Sequence, residues 1–203
     1  MPLSLIGLGI IFNKSNFEKE FQIDIRNKVG NSYANSIDDY LLAVPIVEMY
    51  AADIIGVKSK NHWFDQTKYM LISNVISSGI TNRLKVLTKK IRPSGDENAF
   101  PSGHTTIAFT NAAVLFNEFK DSSPGLAYSG YAFATLTGGF RIANNKHWIS
   151  DVLVGAGIGI LVTHLVYHFE PLKRFNPFKK NKEIVLAPQF IENKLGMYFS
   201  YKF

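Results

Sequence analysis

The stretch FPSGHTTIAFTNAAVLF, residues 100–116, passes from loop to helix within a few residues. Its proline, serine and glycine are loop formers, whereas the apolar run after His104 predicts a helix over 103–118. Comparable runs predict three further helices, over 67–91, 125–143 and 150–169. Because short loops join these helices, we expect an all-α fold, an antiparallel helical bundle.

Two segments before this core carry weaker signals. Residues 16–29 have the pattern of an amphipathic helix that lies on a surface. Residues 37–57 are apolar but are interrupted by Pro45, Glu48 and Asp53.

The C-terminal residues have a different periodicity. Apolar and polar residues alternate in NKLGMYFSYKF (193–203), which together with EIVLAPQFI (183–191) predicts a short β-hairpin. This tail is either a small sheet beside the bundle or a strand that inserts into a membrane or a partner. We therefore divide the chain into a helical domain, 1–182, and a β-like tail, 183–203.

The composition limits the classes of function. With 203 residues the chain most simply forms one domain, and its net charge of +6 indicates an anionic partner such as a phosphate, lipid headgroups or nucleic acid. The absence of cysteine excludes disulfides, thiol catalysis and thiolate metal sites. Residues 1–20 lack a basic segment and a cleavage site, so they make a poor signal peptide and are expected to be a short anchor or the remnant of a longer one.

The hydropathy of single segments and that of the whole chain point in different directions on membrane insertion. A spanning helix needs about 20 mostly apolar residues, and only DVLVGAGIGILVTHLVYHF (151–169) comes close. The mean hydropathy of +0.02 is low for a chain made mostly of membrane spans. We favour an integral membrane protein, and the alternative is a soluble or peripherally attached bundle.

In an up-and-down bundle, polar residues at the helix ends meet at one rim. We name as the catalytic rim Lys85, Arg92, Ser102, Gly103, His104, Arg141, His147 and Asp151. Three of these side chains are cationic, and arginines bind oxyanions through two hydrogen bonds at once. The N–H groups at the start of a helix add donors along a dipole that favours an anion. The rim is therefore predicted to bind a phosphate.

The histidines of the rim are suited to phosphoryl transfer. One imidazole can attack phosphorus and another can protonate the leaving oxygen. His147 and Asp151 are four residues apart and share one helix face, where the carboxylate can fix the imidazole tautomer and stabilise its charged form. Each feature alone is also typical of an ordinary helix end, so the prediction depends on their combination.

Three motifs make the chain resemble the type 2 phosphatidic acid phosphatase (PAP2) superfamily, which includes vanadium haloperoxidases. The family pattern is Lys-x6-Arg-Pro, then Pro-Ser-Gly-His, then Ser-Arg-x5-His-x3-Asp. Here the motifs are KVLTKKIRP (85–93), PSGH (101–104) and FRIANNKHWISD (140–151), all within a core at 67–169. One position departs, because Phe140 stands where the family usually has a serine that donates to phosphate.

The resemblance implies a bundle of the PAP2/haloperoxidase type and a role for each rim residue. His147 attacks phosphorus and forms a phosphohistidine, and Asp151 orients and charges it. His104 protonates the leaving oxygen and then activates the hydrolytic water. The phosphoryl oxygens are held by the other five, Lys85, Arg92, Ser102, Gly103 and Arg141. The resemblance implies no metal and no other cofactor, because cations take the place of a metal.

The expected function is hydrolysis of a lipid phosphate monoester or pyrophosphate, since the chain looks like small PAP2 proteins of the Bacteroidetes type. Lipid A, undecaprenyl pyrophosphate and phosphatidic-acid-like lipids are the substrate classes. Two alternatives stay open: a soluble nonspecific acid phosphatase, and a non-catalytic phosphate-binding or structural membrane protein. The motifs leave the oligomeric state open.

Basic residues away from the rim predict the orientation. They occur in KRFNPFKKNK (173–182) and at Lys58, Lys60, Lys68 and Lys120. The positive-inside rule then places that end of the bundle in the cytoplasm and the rim in the periplasm, with the helices in a bacterial inner membrane. A soluble periplasmic protein is the alternative. The basic run has no recognised nucleic-acid motif, so no nucleic-acid partner is expected.

A second histidine pair has the spacing of half a metal site. His164 and His168 are four residues apart and could supply two ligands. Because no third ligand has a suitable spacing, we expect them to be packing or interfacial histidines.

Overall fold

The computed structural model describes residues 1–169, 184–191 and 194–201. The chain divides into two compact units, Met1–Lys173 and Arg174–Phe203. The described part of the first unit contains eight helices: α1 (Pro2–Phe12), α2 (Asn16–Val29), α3 (Asp38–Leu41), α4 (Val44–Ile54), α5 (Trp63–Thr88), α6 (Gly103–Phe119), α7 (Pro124–Ala143) and α8 (Ile149–His168). The all-α fold expected from the sequence is confirmed.

Most helix boundaries follow from local signals. Helix α2 coincides with the predicted range, and α6, α7 and α8 begin and end within one residue of theirs. Helix α5 ends at Thr88 because Lys89 adopts the left-handed conformation, with φ of 44°. The interrupted segment 37–57 forms two short helices, and Pro45 lies in the first turn of α4, where its missing N–H removes no hydrogen bond.

Helix α6 is the centre of the bundle and packs against α4, α5, α7 and α8. Its contact with α8 is close because two glycines of α8 face its backbone. A Cβ at Gly159 would lie 2.6 Å from Thr106 O, and one at Gly155 would lie 2.7 Å from Ser102 O. This close approach places the N-terminus of α6 beside the first turn of α8.

Helices α1 and α2 cover the bundle from outside. Helix α1 packs on α8, where a Cβ at Gly157 would lie 2.9 Å from Pro2 O. Helix α2 begins at the cap Ser15 and crosses the loop between α7 and α8, where Gln22 Nε2 donates to Ile142 O at 3.1 Å. The amphipathic helix predicted over 16–29 therefore covers the end of the bundle that carries the rim.

Helix α5 turns polar side chains inward. Ser77 and Thr81 are buried, and their hydroxyls lie 3.0 Å and 3.1 Å from those of Thr110 and Thr106. The outward face of α5 exposes Leu71, Val75, Ile76 and Ile80.

By length and composition α8 is the one described helix that could cross a membrane, and α1 is apolar but shorter.

The second unit contains two described strands, β1 (Ile184–Ile191) and β2 (Lys194–Tyr201). They pair antiparallel, from Ile184 opposite Tyr201 to Ile191 opposite Lys194. This is the hairpin that the alternating sequence predicts. The basic run 173–182, and with it the predicted domain boundary, lies outside the described residues.

Candidate active site

The rim forms where the end of α5, the start of α6, the end of α7 and the start of α8 meet. Ser102 N donates to Asp151 O at 3.0 Å, which fixes the start of α6 to the first turn of α8. Gly103 faces Lys85, since a Cβ at this glycine would lie 3.9 Å from the lysine Cε. Arg92 is close enough to Lys85 for their charges to interact. Residues from four helix ends thus lie at one end of the bundle.

His147 and Asp151 form a buried pair. The Nδ1 atom of His147 lies 3.4 Å from Asp151 Oδ2, and the same oxygen accepts a hydrogen bond from Trp148 N at 2.9 Å. Because an ionised carboxylate can only accept, the imidazole proton is on Nδ1 and the Nε2 lone pair is free for bonding. The turn is closed by His147 N, which donates to Arg141 O at 3.2 Å.

Burial sets the protonation state of His147. Only 1% of this residue is exposed to solvent. Burial lowers its pKa to about 4; the carboxylate of Asp151 opposes the shift, and the charges of Lys85 and Arg141 add to it. His147 is therefore neutral at neutral pH, which is the state that a nitrogen nucleophile requires.

The two arginines of the rim keep hydrogen-bond donors open. The Nε atoms of Arg92 and Arg141 are buried and have no hydrogen-bond partner among the described residues. Lys85 Nζ donates to the carbonyl oxygen of Asn98 at 2.6 Å. Buried donors that lack an acceptor are costly, and an oxyanion bound between these side chains would satisfy them.

The N-terminus of α6 adds backbone donors. Ser102 is the cap, and its oxygen accepts from Thr105 N at 3.4 Å and from the Thr105 hydroxyl at 2.9 Å. Helix geometry leaves the N–H groups of Gly103 and His104 without an acceptor in the helix. These groups lie at the positive end of the α6 dipole, which favours an anion at this position.

Helix α3 contributes two carboxylates that the motifs did not indicate. Asp38 is buried and its Oδ2 accepts from Arg141 Nη1 at 2.7 Å. Asp39 Oδ1 lies 2.8 Å from His104 Nε2 and 4.0 Å from Arg141 Nη1. Burial and then the charge of Arg141 lower the pKa of His104, whereas Asp39 opposes this shift. Both carboxylates also line a cleft of about 410 Å³ that reaches Arg141.

A lysine within the first motif, at one of its six variable positions, is a second unexpected member of the site. Lys90 Nζ lies 3.0 Å from Asp151 Oδ1, 2.7 Å from Glu18 Oε1 and 2.8 Å from Ser150 Oγ. It is buried, although it stands next to the exposed Lys89 in the sequence. The only sequence signal was its place two residues before Arg92, which does not distinguish an inward lysine from a solvated one.

Two further expectations concern Phe140 and the pair His164 and His168. Phe140, at the position where the family usually has serine, is half-buried on α7 and has no donor to offer. His168 Nδ1 lies 2.7 Å from the carbonyl oxygen of His164. Among the described residues no group of three or more His, Asp or Glu side chains is placed to hold a metal ion.

Comparison with known proteins gives one family. Residues 66–175, more than half of the chain, match the family described as the PAP2 superfamily. A lipid A 1-phosphatase of Porphyromonas gingivalis is 34% identical over 154 residues, which are 73% of this chain and 34% of the relative. An acid phosphatase of Zymomonas mobilis is 35% identical over 104 residues, 51% of this chain and 34% of the relative. The chain thus spans about a third of the length of these curated relatives.

Two solved structures share the fold. The crystal structure of Aquifex aeolicus LpxE has a TM-score of 0.52 and 22% identity, and the match covers 70% of this chain and 92% of that one. The first transmembrane PAP2 type phosphatidylglycerolphosphate phosphatase from Bacillus subtilis has a TM-score of 0.54 and 18% identity, and the match covers 86% of this chain and 98% of that one.

Proposed function

Because the chain belongs to the PAP2 superfamily, we propose that it is a metal-independent phosphatase that hydrolyses a lipid phosphate through a phosphohistidine. One observation carries the proposal: a neutral, buried His147 that is hydrogen-bonded to Asp151 lies within reach of the charges of Lys85 and Arg141, in a rim whose two arginines keep buried Nε donors unpaired. An anion site without a nucleophile would have supported phosphate binding alone. A buried histidine without an anion site would have supported only a structural role.

The first step of the proposed reaction forms a P–N bond. The lone pair of His147 Nε2 attacks phosphorus while the bond between phosphorus and the leaving oxygen breaks. His104, whose protonated form is favoured once the negatively charged phosphate is bound beside it, gives its proton to that oxygen, and Asp151 stabilises the positive charge that develops on the His147 ring. The cationic side chains and the amides at the start of α6 stabilise the equatorial oxygens of the transition state.

The second step restores the enzyme. His104, now neutral, takes a proton from a water molecule as the water oxygen attacks phosphorus. The P–N bond breaks, its electron pair returns to His147 Nε2, and inorganic phosphate leaves. His104 is protonated again, so the cycle needs no other acid or base.

Two observations support a membrane location and hence a lipid substrate. The outward face of α5 is apolar and its inward face is polar, which is the reverse of a helix in water and is typical of a helix in lipid. One relative is named for lipid A, so a phosphate on a glycolipid is the first substrate to test. The soluble acid phosphatase is the second candidate, supported by the relative that bears that name.

The proposed orientation keeps the rim in the periplasm. Lys58, Lys60 and Lys120 are exposed at the opposite end, where Lys60 N donates to Glu118 O near the C-terminus of α6. Lys68 adds less to that charge than the sequence suggested, because its Nζ is buried at 2.6 Å from Asp65. The expected location is a bacterial inner membrane.

Phosphate release tests the proposal directly. The detergent-solubilised protein is assayed with EDTA on lipid A, undecaprenyl pyrophosphate, phosphatidic acid and phosphatidylglycerol phosphate. We expect His147→Ala to lose about 10³-fold or more of the rate, whereas His168→Ala, a histidine far from the rim, keeps it. Equal rates for wild type and His147→Ala would refute the role of His147 as the nucleophile. Release of the protein from membranes by carbonate would refute membrane insertion and favour the acid phosphatase.

A further inference from the structure

Lys90 lies behind the His147–Asp151 pair, because it contacts one oxygen of the Asp151 carboxylate, Oδ1, whereas His147 contacts the other, Oδ2. The left-handed Lys89 turns the chain at the end of α5, and Ala99 N donates to Lys90 O at 2.8 Å. This turn directs the Lys90 side chain into the protein, where only 6% of the residue is exposed.

The ammonium group of Lys90 has no proton left for a phosphate. An ammonium group has three N–H donors. The three acceptors around Nζ are Glu18 Oε1, Ser150 Oγ and Asp151 Oδ1, at 2.7, 2.8 and 3.0 Å. Lys90 therefore acts on other protein groups, in contrast to the phosphate-binding lysine that the motif predicts, Lys85.

The contact with Lys90 fixes the orientation of the Asp151 carboxylate. One oxygen, Oδ1, faces Lys90, and the other, Oδ2, faces His147 and Trp148 N. Rotation of the carboxylate would break the ion pair with Lys90 and the hydrogen bond to Trp148 together. The oxygen that meets the imidazole is thus held in place from both sides.

Glu18 balances the charge of Lys90. Without Glu18, the single positive charge of Lys90 would neutralise Asp151 and weaken its effect on the imidazole. With Glu18 at 2.7 Å and hydrogen-bonded to Ser150 as well, the buried group of Lys90, Glu18 and Asp151 carries one net negative charge. That charge becomes balanced when His147 turns positive in the reaction.

We propose that Lys90 and Glu18 are positioning residues, which hold Asp151 in the orientation and charge state that stabilise positive charge on His147. Helix α2, through Glu18, then helps to position the catalytic pair as well as covering the rim. The inference rests on the proposed phosphatase function, because it concerns the same histidine.

Kinetic analysis of charge-removing variants tests this inference. We compare Lys90→Met, Glu18→Gln and the double variant with wild type, using hydrolysis of an aryl phosphate and inhibition by inorganic phosphate. The matched controls are Lys89→Met and Glu20→Gln, which change the exposed neighbours. Each rate is divided by the folded fraction from thermal melts, so that loss of fold is not counted as loss of chemistry.

We expect Lys90→Met to lower kcat about 10- to 100-fold, the range over which outer partners of catalytic ligands act in metal sites. Inhibition by inorganic phosphate should stay within about twofold, because Lys90 donates to no phosphate. The double variant should be more active than Lys90→Met, because it again leaves Asp151 as the single buried charge. If the role of these residues were purely structural, kcat per folded molecule would be the same in wild type and in all three variants.

The failures can be told apart. Equal rates in wild type and His147→Ala would overturn the proposed function and this inference with it. An enzyme that depends on His147 but keeps its kcat in both Lys90→Met and Glu18→Gln would overturn the inference alone. If Lys90→Met does not fold, Glu18→Gln decides: a lower kcat with unchanged phosphate inhibition supports the inference, and an unchanged kcat overturns it.

Discussion

Replacement of Gly155 by alanine would test whether the packing of α8 on α6 positions the active site. A Cβ at this position would lie 2.7 Å from Ser102 O and 3.1 Å from Thr106 Oγ1. Ordinary contacts of a Cβ begin at 3.4 Å, and a backbone oxygen has no rotamer by which to move away. The start of α6 must therefore shift by about 0.7 Å, the difference between these distances.

Two terms determine the expected change in stability. Overpacking of this kind costs about 1–3 kcal/mol. Replacing glycine by alanine within a helix returns about 0.5–1 kcal/mol. The middle of these ranges gives a net loss of about 1 kcal/mol, which corresponds to a melting temperature lower by about 2–4 °C for a chain of this size. Gly79→Ala is the matched control, because a Cβ there has nothing within 4 Å and only the stabilising term applies.

The same shift has a catalytic consequence. Ser102 is the cap of α6 and donates its N–H to Asp151 O, so its displacement moves the anion-binding turn relative to the catalytic pair. A misplacement of about 1 Å can cost about 100-fold in rate, and we expect Gly155→Ala to lose about 10- to 100-fold in kcat. Thermal melts and aryl phosphate hydrolysis in detergent measure both effects. A melting temperature equal to that of Gly79→Ala, or an unchanged kcat, would refute the reasoning.

Two further predictions concern the catalytic pair. His147 is buried in its neutral form, and its pKa is lowered from 6.5 to about 4. Its contribution to folding stability is therefore fully present above pH 6.5. As the pH falls towards 4, about 3 kcal/mol of folding free energy is lost. The melting temperature should therefore fall more steeply from pH 7 to 5 in wild type than in His147→Asn. Equal slopes would contradict the assignment of His147 as buried and neutral. Asp151→Asn should lower kcat by about 10³- to 10⁴-fold, as amide replacement does in a serine protease triad, with little change in phosphate inhibition. An unchanged kcat would remove the orienting role.

The sequence predicted those parts of the site that depend on spacing. The four-residue interval between His147 and Asp151 gives one helix face, and Ser102 before an apolar run gives a helix cap. Short loops bring successive helix ends to the same side, which is enough to gather the motif residues at one rim. Each of these arguments uses residues that are near one another in sequence or lie at helix ends.

The sequence could not indicate contacts between distant segments. Asp38 meets Arg141 across 103 residues, and Glu18 meets Lys90 across 72. No periodicity connects such pairs, and each residue alone has the pattern of a solvated charge. The apolar outward face of α5 was missed for a similar reason. Hydropathy averaged along the helix is low, and the average does not show that the polar side chains face inward.

The carboxylate of Asp39 provides a last test of how substrate reaches the rim. Its Oδ1 atom lies 2.8 Å from His104 Nε2 and 4.0 Å from Arg141 Nη1, so it stands where a phosphate oxygen would meet the proton donor and a cation. Phosphate must then displace this carboxylate and overcome its negative charge, and exposed pairs of this kind are worth about 0.2–1 kcal/mol.

Asp39→Asn should therefore strengthen inhibition by inorganic phosphate by up to about fivefold. Asp24→Asn, which changes an exposed carboxylate on α2, should leave inhibition unchanged. A fall in kcat without tighter phosphate binding would contradict the displacement argument. It would show that Asp39 orients His104 during the reaction, as Asp151 is proposed to orient His147.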